Sequence, residues 1–305
     1  MKPLSRSEFL RLAGASAAGA YLIGPGVFDL SEAGAATYPH MTVAHGTNTT
    51  AIVTKAIAGL GGMSRFVTKG DHVVIKPNIC VDYRSSAYAA TTNPTVVATL
   101  VKLCTSAGAA SVRVMDRPFG GTAPTAYKVS GIGPAVAKAG GKMVVMSPTG
   151  YAKYSIPKGK WLHSWSFYKE MIQADVLIDV PIAKVHGSSR LTIAGKNLMG
   201  CIDDMGKLHP NLSQGIADIA SLLKPDLTVV DAVRILVKNG PTGGSLSYVK
   251  RKNLVIASPD IVAADAYAAT LFGLRGADVP YIKAMAASGL GTMKLASITI
   301  KKYNL

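Results

Sequence analysis

An open, mostly parallel α/β sheet with helices on both faces, doubly wound in three layers, is the fold this sequence predicts. Apolar runs of about five residues alternate with amphipathic stretches of about ten or more, the pattern of strands linked by crossover helices. Polar motifs fall just past several of those runs, at Lys76-Pro77-Asn78, Asp116-Arg117, Lys184 with His186, and Asp231. Ligands bind outside the carboxyl ends of strands in such folds, so these distant stretches are expected to meet at one rim. With 49% hydrophobic and 16% charged residues, the chain has enough apolar material for a large core.

Residues 41–44 make the first predicted strand. Asn48 or Thr49 then caps a helix to about Leu60, whose face carries Ile52, Val53, Ala56, Ile57 and Leu60, with Gly61-Gly62 as its stop. A strand over 72–75 follows the Lys69-Gly70-Asp71 turn. Asn93 and Pro94 start a helix that Gly108 ends, because proline at the first helical position loses no needed N–H. Strands are predicted over 112–115 and 143–146, separated by a loop around Gly120, Gly121 and Pro124 and a helix over 134–139. Tyr151 to Tyr168, with Trp161 and Trp165, reads as a two-stranded excursion over the site, and 167–173 as a helix.

Asp175 to Pro210 is the stretch around which the rest is arranged. It opens as a strand buried on both faces, Val176 to Val180. Lys184, His186, Arg190, Lys196, Asn197, Asp203, Asp204 and His209 then follow in quick succession. Beyond it, Ile216, Ile219, Ala220 and Leu223 mark a helix face, 227–230 and 254–257 are strands, and Asn239-Gly240-Pro241 is turn chemistry. Ser258-Pro259 caps an alanine-rich helix through Phe272, 279–287 is helical, and 297–300 is a last strand.

Residues 1–36 read as an export signal and 37–305 as one α/β domain. Lys2, Arg6 and Arg11 precede the apolar stretch Leu12 to Ile23, and Ala33-Gly34-Ala35 offers small residues for cleavage. Ser5 to Arg11 is similar to a twin-arginine signal in which Ser7 replaces the second arginine, so the route is either twin-arginine or general secretion. A periplasmic or other extracytoplasmic location is expected, with no transmembrane span in the mature chain. The formal charge of +16 predicts attraction to anions without choosing among them. Cys80, Cys104 and Cys201 form no CxxC motif; Cys104 belongs to an apolar helix face, and Cys80 and Cys201 either meet or pack separately.

Val74-Ile75-Lys76-Pro77-Asn78, Thr92-Asn93-Pro94, Asp175 to Pro181 with Lys184 and His186, Gly195-Lys196-Asn197-Leu198-Met199-Gly200, His209 and Asn239-Gly240-Pro241 form an ordered set. In that order they resemble the domain of unknown function 362 family, from about residue 70 to about residue 270. The resemblance implies an α/β domain, export signals in many bacterial members, and in some an accompanying 4Fe-4S ferredoxin module. An iron–sulfur cluster is not expected from this chain alone. The resemblance carries no reaction with it.

The residues themselves suggest a small anionic ligand. Lys76, Asn78, Lys196 and Asn197, with Asp116 nearby, are the predicted binding group; Lys184 would polarise the ligand, His186 would move a proton, and Asp231 completes the predicted catalytic set. Asp203, Asp204 and His209 have the donor types for a divalent metal; the same carboxylates could instead pair with Lys207 or Arg190. No G-x-G-x-x-G, P-loop, G-x-S-x-G or H-E-x-x-H motif supports nucleotide, serine-hydrolase or zincin chemistry. Nucleic acid is not an expected partner, because the basic residues are not interleaved with stacking aromatics. Two further readings stay open: an accessory protein for exported iron–sulfur or redox proteins, and an envelope polyanion binder.

Overall fold

A computed structural model describes residues 38–305. The expected leader lies outside the described residues. One sheet organises the rest, with strands β1 (Met41–His45), β2 (His72–Pro77), β3 (Ser111–Val114), β4 (Lys142–Met143), β7 (Val176–Val180), β8 (Ile182–His186), β9 (Arg190–Thr192), β10 (Leu227–Leu236), β11 (Val249–Ser258) and β12 (Ile300–Asn304). Its order is β12-β1-β11-β10-β7-β2-β3-β4, with β8 beside β10 and β9 beside β8. The β10-β7-β2-β3-β4 half is parallel, whereas β11 runs antiparallel to both of its neighbours. A separate hairpin joins β5 (Tyr151–Ser155) to β6 (Ser164–Tyr168), as the sequence led us to expect.

Side-chain alternation divides the sheet between two cores. Val73, Ile75, Val176, Ile178 and Val180 join a cluster with α1 (Thr49–Gly59), α2 (Pro94–Ser106), α3 (Ala123–Val129) and α4 (Ile132–Lys138). Val74 and Leu177 point the other way. They join the short α5 (Lys169–Gln173) and α6 (Ala194–Asn197), then α7 (Leu212–Leu223), α8 (Ile261–Thr270) and α9 (Pro280–Ala287). The chain is therefore doubly wound, and the alternation places Lys76 and Asp179 on the α6 to α9 face.

Pro181 explains a feature the sequence reading missed. Lacking an N–H, it interrupts the strand, so β7 pairs with the start of β10 and β8 with its continuation. Asp231 N–H donates to the Pro181 carbonyl at 2.8 Å, carrying the ladder across the break. β8 then turns back into β9, pairing Lys184 with Thr192 and Val185 with Leu191. Elsewhere α3 stands where a loop was expected, β4 is shorter than 143–146, and Phe167 and Tyr168 belong to β6 rather than to a helix. The last strand lies later than expected, at 300–304, where it pairs with β1.

Candidate active site

Lys76 and Asp179 are register partners on adjacent parallel strands, so their side chains rise side by side beneath α6. Both are essentially inaccessible, at 1% and 0% exposure, as are Asn197, Asp116 and Lys184 at 3% or less. A buried charge must be paired and hydrogen-bonded, and this one is. Lys76 Nζ lies 2.7 Å from Asp116 Oδ1 and donates to Asn197 Oδ1 at 2.9 Å and to the Pro77 carbonyl at 3.0 Å. Asn197 Nδ2 donates to Asp179 Oδ1 at 2.7 Å, and Asn78 Nδ2 donates to Asn197 Oδ1 at 2.9 Å. Lys184 Nζ completes the chain by donating to Asn78 Oδ1 at 2.9 Å and to the Ala90 carbonyl at 2.6 Å. Four of the five expected ligand-binding residues, Lys76, Asn78, Asn197 and Asp116, thus hold one another, and their polar atoms are largely used up.

Burial shifts both carboxyls upward. It raises Asp116 despite the attraction of Lys76, and raises Asp179 well above the usual carboxylate range. Asp179 Oδ2 has no hydrogen-bond partner among the described residues. Asp179 was missed in the sequence. Its signal was a single carboxylate inside the apolar run Val176-Leu177-Ile178-Asp179-Val180.

Asp265 sets the position of α6, accepting from Ala194 N–H at 2.6 Å and Gly195 N–H at 2.9 Å. That bracket delivers Asn197 into the network and Lys196 toward the rim. Glycine at 200 is required by proximity: a Cβ there would stand 2.4 Å from Asp116 Oδ1 and 2.8 Å from Lys76 Nζ.

Above the network lies a cationic mouth. Lys196 is only partly exposed, and no hydrogen bond to its amine is found among the described residues. Burial, helped by the Lys184 charge, lowers it to about 8. Lys184 is also lowered, chiefly by burial, while the adjacent Cys80 thiol acts in the opposite direction. Neither amine has a carboxylate within ion-pair distance among the described residues. His186, half-buried, is held at about 4 by burial and by Lys196, Lys184 and His209. Ser188 N–H donates to its Nδ1 at 3.1 Å, so the neutral ring presents Nε2–H to the mouth. A ring that is neutral near pH 7 and accepts at Nδ1 has Nε2–H as its donor.

A model of the domain of unknown function family DUF362 matches residues 73–270, the segment that contains every one of these side chains. The chain belongs to this family. A thylakoid-associated protein of Synechocystis sp. is 30% identical over 246 residues, covering 76% of this chain and 72% of that protein. Among solved structures, the lactate racemase apoprotein of Thermoanaerobacterium thermosaccharolyticum aligns with a TM-score of 0.43 at 11% identity, over 72% of this chain and 54% of that one. A Thermotoga maritima protein aligns with a TM-score of 0.44 at 10% identity, over 79% and 59%. This DUF362 chain thus spans little more than half of either solved structure.

The geometry shows what the remaining expected residues of this DUF362 member touch. Asp231 is buried: its Oδ2 accepts from Asn93 N–H at 2.7 Å and its Oδ1 from Val233 N–H at 3.0 Å, so it anchors backbone at the start of α2. Asp203, Asp204 and His209 do not converge. Asp203 pairs with Arg117 at 2.9 Å, Asp204 pairs with Lys207, and His209 Nδ1 bonds to the Gly206 carbonyl. No group of three His, Cys, Asp or Glu side chains suited to a metal is found among the described residues. Cys80 and Cys201 are separate buried thiols, Cys80 beside Lys184 and the Pro241 carbonyl, Cys201 in the α6 to α9 core.

Proposed function

We propose that this protein binds a small anion at the carboxyl-end rim, held by Lys196 with His186 Nε2–H as a neutral donor, and attracted by the enclosed Lys184 charge beneath them. The observation that carries the reading is the pair of largely buried amines with no carboxylate partner among the described residues. An uncompensated cation in a desolvated site is costly, and an anionic ligand removes that cost. The network of Lys76, Asp116, Asn197, Asp179 and Asn78 acts beneath as a rigid support that fixes both amines. With Lys196 near 8, about a tenth of it is neutral at pH 7. It is thus the rim group able to take a proton from a bound ligand, and any transformation of that ligand starts there.

The leader-like sequence at residues 1–36 supports an extracytoplasmic setting for this activity. Among the described residues no helix is long and apolar enough to cross a membrane. Sulfate is a suitable calorimetric probe because its own charge stays constant from neutral to alkaline pH. The wild type is expected to bind it with one-to-one stoichiometry, and Lys196→Met and Lys184→Met each to weaken binding at least tenfold. Unchanged binding in both variants would remove the proposal.

A further inference from the structure

The hairpin that carries Lys184 and His186 has a second face. Val185 and Leu191 are cross-strand partners that point away from Lys184, and they form one wall of a cavity of about 420 Å³ on the far side of the β8–β9 layer. The cavity exists because β8 leaves β10 there: their pairing slips between Asp231 and Leu236, and β10 shifts register against β11 between Ala232 and Arg234. Val237, Leu271 and Phe272 extend the apolar wall. The volume lies in the range of sites for small organic ligands.

Its charge is one-sided. Arg190 stands at the turn side, and Lys250 and Lys252, two residues apart on β11, share the opposite rim. None of the three is in an ion pair with a carboxylate among the described residues. Asp278 is engaged by Arg275 at 2.9 Å and accepts from Arg190 through its backbone carbonyl at 2.7 Å, and the Arg190 charge also helps to hold its carboxyl low. An apolar wall with three cations and no carboxylate in its lining fits a ligand with an apolar body and one anionic head.

We propose that this cavity is a second binding site, distinct from the rim site, for a soluble medium-chain carboxylate or a molecule of the same amphipathic chemistry. The head would lie among Arg190, Lys250 and Lys252, and the chain against Val185, Leu191 and Val237. A test titrates decanoate, below its micelle concentration, into the full protein by calorimetry. Saturable one-to-one binding is expected, with decan-1-ol and acetate each at least tenfold weaker, since each lacks half of the required chemistry. Lys250→Glu with Lys252→Glu alters only rim side chains and should weaken decanoate at least tenfold with an unchanged circular dichroism spectrum. Lys196→Met should leave decanoate affinity within twofold of wild type. The proposal is overturned by decan-1-ol binding as well as decanoate, by full affinity in the double variant, or by loss confined to Lys196→Met, which would place the carboxylate at the rim.

Discussion

Lys76 illustrates how a side chain in a ligand-site position can serve the site without touching the ligand. Its ammonium is fully enclosed and satisfied by Asp116, Asn197 and the Pro77 carbonyl. Lys76→Met would strand Asp116 as a buried acid without its counter-charge. We expect a loss of about 3–5 kcal/mol in urea unfolding, and a smaller loss when Asp116→Leu is added. Equal losses in single and double variants would show that the pair is not coupled. Lys196 was legible in the sequence as a cation after a glycine break, and it stands as a partly exposed side chain near the end of α6. The partners of Asp231 were not legible, because lying just past a predicted strand does not reveal whether backbone donors already occupy a carboxylate. Asp179 was overlooked because strand periodicity alone does not distinguish a buried carboxyl from a strand-ending one.

α6 is only four residues long, too short to hold itself as a helix, and Asp265 supplies the acceptors for its first two N–H groups. Asp265→Ala leaves both donors buried and unpaired. The expected cost is about 1–3 kcal/mol, with weaker sulfate binding because Lys196 and Asn197 lose their fixed position. Gly200→Ala forces a methyl group against Asp116 and Lys76 and is expected to cost about 1–3 kcal/mol in the same assay. The main strands and helices were legible from their apolar runs and caps; Asn48 and Asn93 both cap as expected. β9 and the break between β7 and β8 were not, since a three-residue strand carries no usable period and Pro181 reads equally well as an end.

At the scale of the whole molecule, buried acids make stability depend on pH. Burial raises Asp231 to about 6 and Asp265 to about 7 from an ordinary 3.8. In that interval the folded protein holds more protons than the unfolded chain, so their contribution is greatest below 3.8 and is lost as pH rises to about 7. Urea unfolding at pH 4.5 and 7.5 should show that loss, and Asp231→Asn should reduce it; an unchanged slope would contradict the burial argument. The doubly wound sheet follows from strand-length apolar runs and was legible in its main elements. What no run of residues shows is which polar groups satisfy one another after folding, and that divides the buried support from the open mouth. Lys196 is the point where the two meet. The most direct test is therefore sulfate affinity as a function of pH in the wild type and in Lys196→Arg. Lys196 near 8 predicts wild-type affinity falling steeply above pH 8, by about tenfold per unit at the limit. The arginine variant, which stays charged, should be flat over the same range. Parallel pH profiles in the two proteins would contradict Lys196 as the anion-binding group.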